Sequence, residues 1–189
     1  MSQGSLTKPG SPLCQIWRDR MCETIHRVTA DDAQFKDAMA MMAAAVKVVT
    51  TSGPAGRAGL TVTAACSVCQ DPPRLLVCVN GTASAHPFLL QNARLTLNIL
   101  ATDQQEIAMA FAGKVTQEKR FNIGEWTEDE CGQPSLRGAC AHFTCSVHET
   151  MQSGTHTIFI CDVHVASADK DKLPLIYFDR NMMPLAKVA

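Results

Sequence analysis

Leu60-Thr61-Val62-Thr63-Ala64-Ala65-Cys66-Ser67-Val68-Cys69 runs for ten residues without a charge, a glycine or a proline. Set between turn sequences, it reads as a single strand. Two-residue periodicity puts Leu60, Val62, Ala64, Cys66 and Val68 on one face and Thr61, Thr63, Ala65, Ser67 and Cys69 on the other. The second face is small and partly hydroxylated. A flat ring can lie against so slim a surface, with hydroxyls and main-chain N–H groups meeting its polar edge. A hydroxylated strand facing water satisfies the same pattern.

Upstream, Ser52-Gly53-Pro54-Ala55-Gly56-Arg57-Ala58-Gly59 is a turn that makes a hairpin with the β-branched run 46–51. Its glycine spacing is not that of a dinucleotide fingerprint, and a strand follows where that motif needs a helix. Before the hairpin a helix is predicted over 31–45, capped by Thr29 or Asp31, with Phe35, Met39, Met42 and Val46 at helical spacing. Downstream, Asp71-Pro72-Pro73 ends the strand and residues 75–80 resume as another. Ser84 is placed to cap a helix carrying Pro87 in its first turn and running through Asn92. A strand at 95–100 follows, then a capping-box pattern of Thr102 and Gln105 for a helix ending near Gly113. Residues 138–151 and 155–166 flank Gln152-Ser153-Gly154 as a long hairpin, and 175–178 adds a short strand. Strands that follow one another through turns, with few flanking helices, favour a mainly β, closed antiparallel barrel over a doubly wound sheet.

The chain has 189 residues, enough for one well-buried domain. Seventeen Lys and Arg against 18 Asp and Glu leave a net charge of −1, which argues against nucleic acid and anionic membranes as partners. Residues 1–34 hold eight charges without a sustained period and read as a tail, flexible or packed on a partner subunit; the domain proper is expected over 35–189. Only five charges fall between Gly59 and Gly113, so most of the core is expected there, whereas nine fall in 114–137, a surface excursion. Nine cysteines, an odd number, behind a start with no apolar leader point to a reducing cytoplasm.

Cys66-x-x-Cys69 has dithiol spacing, but residues three apart on a strand face opposite ways, which argues against a redox pair or half a zinc site. Asn80-Gly81-Thr82-Ala83-Ser84 leads from a strand into a helix, where free N–H groups and hydroxyls suit a phosphate. Phe111-Ala112-Gly113-Lys114 and Glu118-Lys119-Arg120-Phe121 set cations beside aromatics, and an ordinary solvated surface accounts for them equally well. His156 follows the hairpin turn. His26, His86, His142, His148 and His164 show no metal-ligand spacing, and no serine sits in a nucleophile elbow.

Taken together, Phe35-Lys36-Asp37-Ala38-Met39, Val48-Val49-Thr50-Thr51, Gly56-Arg57-Ala58-Gly59-Leu60-Thr61-x-Thr63-Ala64, Cys66-Ser67-Val68, Asp71-Pro72-Pro73, Leu76-Val77-Cys78-Val79-Asn80, Phe111-Ala112-Gly113, Gly154-Thr155-His156 and Tyr177-Phe178-Asp179-Arg180 resemble the small flavin reductase family, in order and over roughly residues 35–185. The resemblance implies an antiparallel, Greek-key-like split β-barrel that binds FMN. It also implies a homodimer with flavin near the subunit interface, using NADH or NADPH to reduce FMN or FAD for a separate flavin-dependent monooxygenase. Carried over residue by residue, the ring would lie on Thr61, Val62, Thr63, Ala64, Cys66 and Ser67. Asn80, Ser84 and Ala85 would hold the ribityl chain and phosphate, with charge from Lys114 and Arg120. Asn98, Leu100, Ala101 and Phe111 would complete the pocket, and His156, taken as the catalytic candidate, would meet the nicotinamide. Cys69 departs from the small polar residue frequent in relatives. Arg57, Arg120 and Arg180 are the candidates for a 2′-phosphate.

Overall fold

The computed structural model describes residues 30–185. The chain separates into a unit of residues 1–39 and a larger one of 40–189. Helix α1 (Asp32–Ala40), all but its last residue in the first, starts behind Asp31, whose carboxylate accepts from the Gln34 N–H and whose carbonyl accepts from Phe35. Thr29, the other predicted cap, lies outside the described residues. The helix stops five residues short of the predicted Ala45. Ala44–Ala45 forms β1 instead, paired with Ile176 and Tyr177, so strand pairing wins over helical periodicity at this boundary. Of the residues noted at helical spacing, Phe35, Met39 and Met42 are exposed and Val46 is buried.

The larger unit is built on a seven-stranded antiparallel sheet. Its strands are β2 (Lys47–Thr51), β3 (Ala58–Val62), β4 (Ala65–Gln70), β5 (Pro73–Asn80), β6 (Arg94–Ile99), β9 (Ala141–Ser153) and β10 (His156–Ala168). Their order is β3-β2-β6-β9-β10-β5-β4. β9 and β10 form the predicted long hairpin, turning at Gly154 with φ +55. β5 begins at Pro73, a first position where the missing N–H costs no ladder bond.

The order corrects two expectations at once. The stretch 60–69 is not one strand but the end of β3 and most of β4, and these consecutive strands are the two opposite edges of the sheet. Among the described residues no ladder joins them, so the barrel is split, not closed. The joint is Thr63-Ala64, with the Ala65 N–H donating to the Thr63 carbonyl at 3.0 Å. Two residues outside the pleat reset the alternation: Leu60 and Val62 are buried, yet Ala65, not Ala64, packs on the core, and Cys66 is exposed. A bulge between Ser67 and Cys69 twists β4 further.

The sheet wraps one face around a core that includes Val49, Leu60, Val62, Leu75, Val77, Leu95, Leu97 and Phe159. Each side chain of this size contributes about 1.5–3 kcal/mol by leaving water. The other face of β2, through Val46 and Val48, packs a second cluster with Leu100, Ile107, Phe111, Leu136 and Leu175. That cluster is covered by α3 (Gln105–Met109), the wider π turn Ala110–Lys114 that continues it, and the hairpin β7 (Trp126–Glu128) with β8 (Pro134–Leu136). The segment 114–137 is therefore more than a surface excursion. Glu118, Lys119, Glu125, Glu128, Glu130 and Arg137 face outward, but Arg120 is buried, and Phe121 and Trp126 pack edge-on and tilted against Phe111, all three centroids 5.2 Å apart. β11 (Leu175–Phe178) and β12 (Asn181–Pro184) close the unit. No helix among the described residues is long and apolar enough to cross a membrane.

Candidate functional site

Where β3 passes into β4, the sheet leaves a cleft of about 350 Å³. Its floor is Thr61, Val62, Thr63 and Ala64; Cys78 and Asn80 of β5, Ala83 and Ser84, Phe111 and Ala112, Arg120 and His156 form the walls. Small residues make the floor flat, and the backbone can come close to a ligand there. The Thr61 hydroxyl is already committed, donating to the Ala108 carbonyl at 2.7 Å, so it braces the floor rather than facing a ring edge. The Ala64 N–H has no acceptor among the described residues.

The Phe111 wall depends on Gly59. A Cβ at Gly59 would stand 2.6 Å from Phe111 Cε1 and 2.9 Å from the Val49 carbonyl oxygen, so only glycine admits the ring there. Gln117, in the short helix α4 (Gln117–Arg120), ties two walls together: it accepts from the Gly59 N–H at 3.0 Å and donates to Ser84 Oγ at 2.9 Å. No pattern in the sequence marks it, because it lies in the charged segment between elements. Ser84 is thus a wall residue and not the predicted cap. The helix α2 (His86–Asn92) is preceded by Ala85, which is fully buried and makes no side-chain cap bond. Asn80 folds the adjoining turn by accepting from both the N–H and the hydroxyl of Thr82, each at 2.9 Å.

Arg120 is the one charged side chain of the cleft lining, and it is 5% exposed. Its guanidinium donates to the carbonyls of Gly59 at 2.6 Å and Val115 at 2.9 Å. No carboxylate ion-pairs with it among the described residues. Burial pushes its pKa down from the ordinary arginine value, with Glu118 acting in the opposite sense. A buried cation bonded only to carbonyls leaves a local positive charge suited to an anion. His156 opens β10 opposite Asn80, is exposed, and shares a 3.0 Å hydrogen bond with the Thr155 hydroxyl. Arg57 stacks on Phe121, 4.1 Å from the ring centroid.

Several residues expected here are elsewhere. Asn98 is fully buried and spends its amide on structure, donating to the Val48 carbonyl and the Thr50 hydroxyl and accepting from the Leu136 N–H at 2.9 Å. Leu100 is fully buried in the second cluster, and Ala101 is 1% exposed beside the bridge to Pro174. The strand preceding them lies in the middle of the sheet, so none lines the cleft. Cys66 and Ser67 line a different, mostly apolar cavity of about 600 Å³ with Cys69, Arg74, Leu97 and Phe143, because the reset at Thr63-Ala64 turns them away. The Lys114 side chain lies outside the described residues. Arg180 sits in the turn between β11 and β12 at φ +60, away from the cleft lining. Cys78, missed by the sequence reading, is visible in hindsight through the outward alternation Leu76, Cys78, Asn80; desolvation pushes its thiol pKa up, with Cys66 adding to the effect. Cys66 and Cys69 are free thiols, and no cluster of three or more metal-ligating side chains occurs among the described residues.

Sequence and structure comparisons converge on one family. The chain is 42% identical over 162 residues to the FMN reductase (NADH) RutF of Stutzerimonas stutzeri, spanning 85% of this chain and 93% of that protein. It is 40% identical over 160 residues to the protein of the same name in Klebsiella variicola, spanning 85% and 98%. Among solved structures, the NADH:FAD oxidoreductase SgcE6 of Streptomyces globisporus C-1027 superposes with a TM-score of 0.78 at 27% identity, over 85% of this chain and 96% of that one. The styrene monooxygenase flavin reductase of Pseudomonas putida S12 gives 0.73 at 26%, over 82% and 99%. Residues 39–186 match the flavin reductase like domain, so the split sheet with its cleft at the seam is that family's fold, and this chain is a member of the family.

Proposed function

We propose that the protein is an NADH-dependent flavin reductase, acting on FMN or FAD and handing the reduced flavin to a separate monooxygenase. One observation carries the reading: a floor of Thr61 to Ala64 faced by a buried Arg120 with which no carboxylate ion-pairs among the described residues. Slim floor, unpartnered Ala64 N–H and buried cation together suit a planar, polar-edged ring bearing a phosphate. The relatives' names support NADH and FMN, and SgcE6 extends the choice to FAD.

A flavin held there would supply a hydride acceptor for NADH, the balance being NADH, flavin and a proton to NAD⁺ and dihydroflavin. The chain's own residues bind and orient. Thr63 and Ala64 offer backbone to the ring, Asn80 and Ser84 flank the phosphate end, and Arg120 supplies charge. His156, on the exposed rim, receives the nicotinamide nucleotide. The task of these residues would be to bring two rings together in the right orientation, so no single side chain is expected to be indispensable. Phe111 holds the wall against which the ring is set.

The same reading includes a homodimer working in the cytoplasm, with its oxygenase as a second partner. The styrene monooxygenase reductase among the structural relatives supports a role in a two-component system. The test is direct: purified protein is mixed with NADH and excess FMN under argon. Bleaching of the flavin absorbance at a rate proportional to protein is expected, and flavin that stays yellow would mark a storage or structural protein. Reduction of FMN, FAD and a cobalt corrin under the same conditions separates flavin from other acceptors, and light scattering reads the dimer.

A further inference from the structure

Lys47 is an unusual residue to find inside a barrel. It lies on β2 between Val62 of β3 and Ile99 of β6, and it is 8% exposed. Its ammonium donates to the Ala45 carbonyl at 2.9 Å and the Thr63 carbonyl at 3.0 Å, and no carboxylate ion-pairs with it among the described residues. A buried, unneutralised ammonium is costly, and that cost needs a purpose or a compensating contact. Thr63 is one half of the joint between the sheet's edges, and Thr63 and Ala64 are both floor of the cleft.

The Thr63–Ala64 peptide is trans, so its carbonyl and its N–H point in opposite directions. At the carbonyl end it accepts from both Lys47 and the Ala65 N–H. At the other end the Ala64 N–H is without an acceptor among the described residues. Hydrogen bonds in series polarise one another, and a cation at the carbonyl makes the N–H across the same peptide a stronger donor.

We propose that Lys47 is a positioning residue for flavin reduction: through the Thr63–Ala64 peptide it strengthens the Ala64 N–H as a donor to the negative charge that grows on flavin when hydride arrives. The proposal rests on the reading of the cleft as the flavin site. A donor aimed at developing charge acts more strongly on the reduced than on the oxidised ligand, which is what accelerates the step. Burial also holds the Lys47 pKa below the ordinary lysine value, with the nearby Cys66 opposing.

The experiment measures the affinity of the whole protein for oxidised FMN by fluorescence titration and for dithionite-reduced FMN under argon. In Lys47→Gln, which keeps a hydrogen-bond donor but no charge, the dissociation constant for oxidised FMN stays within about threefold. That for reduced FMN rises about tenfold, equivalent to lowering the bound-flavin potential by about 30 mV for a two-electron couple. Lys47→Met gives the same split. In an Ala64→Pro background, which has no N–H at the joint, Lys47→Gln leaves the ratio of the two constants unchanged. Equal weakening of both redox states, or no change in either, overturns the proposal by making Lys47 merely structural. Wild-type protein that binds neither form of FMN sinks the flavin reading itself, which distinguishes the two failures.

Discussion

Gly59→Ala adds one methyl group at the most crowded point of the site. The new carbon would meet Phe111 Cε1 at 2.6 Å, Phe111 Cδ1 at 2.9 Å and the Val49 carbonyl oxygen at 2.9 Å. Neither obstacle can give way easily. The carbonyl belongs to β2, which is paired with β3 on one side and β6 on the other, and the phenyl ring is 1% exposed and braced by Phe121 and Trp126. Overpacking of a tight core costs about 1–3 kcal/mol, and with two immovable neighbours the upper end applies. At about 2–4 °C per kcal/mol for a chain of this size, the melting temperature falls by about 6–12 °C. Differential scanning calorimetry on the purified variant measures this. Phe111→Leu in the Gly59→Ala background removes part of the ring and recovers at least about 1 kcal/mol relative to the sum of the single changes. A Gly59→Ala protein within about 0.5 kcal/mol of wild type, or a double variant that shows no coupling, would falsify the view that this glycine exists to admit the Phe111 wall.

Asn98→Ala strips the Leu136 N–H of its acceptor and opens a cavity between β2 and β6, costing about 2–4 kcal/mol in urea denaturation while FMN affinity of the folded protein is retained; lost affinity at full stability would return Asn98 to the site. The Asp162 carboxyl is held below its ordinary range chiefly by the 2.7 Å bond from Arg74, with His148 adding to it. Its folded-state pKa is thus lower than its unfolded one, so its stabilisation is complete above the ordinary carboxylate range and is lost as the pH falls through the folded-state value. Urea midpoints followed downward from neutrality should therefore drop more steeply for wild type than for Asp162→Asn, and parallel curves would show the pair to be idle. His156→Ala raises KM for NADH and leaves kcat largely unchanged in steady-state assays; loss of kcat at unchanged KM would make the imidazole a chemical participant.

Much of this architecture is legible in the residues. The turn 52–59, the prolines at 72 and 73 and the Ser153-Gly154 corner each punctuate strands by a local constraint on φ or on the missing N–H, and the strands on both sides of each occur: β2 and β3, β4 and β5, β9 and β10. The small, uncharged run Thr61 to Ala64 stands out in the sequence, but a hydroxylated strand facing water fits the same pattern, and only the fold puts these residues in the lining of a cleft. What failed was parity. A two-residue joint without proline or glycine leaves no mark on an alternating apolar run, so Cys66 and Ser67 were put on the wrong side of the sheet. Asn98 failed for a different reason: whether a buried amide serves a ligand or a neighbouring strand depends on β8, far away in sequence. Gln117 and Lys47 owe their positions to long-range packing alone, and their types are ordinary for surface positions.

A sleeve slit along its length holds whatever lies in the slit between two lips. Here the lips are β3 and β4, tethered to each other by a pair of residues, and among the described residues neither gives its outer edge to another strand of the sheet. A ligand in the cleft rests on that tether, with β5 and not β4 as its neighbouring wall. Letting it go asks only for slack at the tether, with the inner rungs of β2, β6, β9, β10 and β5 left intact. An enzyme whose product must depart intact for another protein gains from such an opening, which needs no separate flap to swing aside.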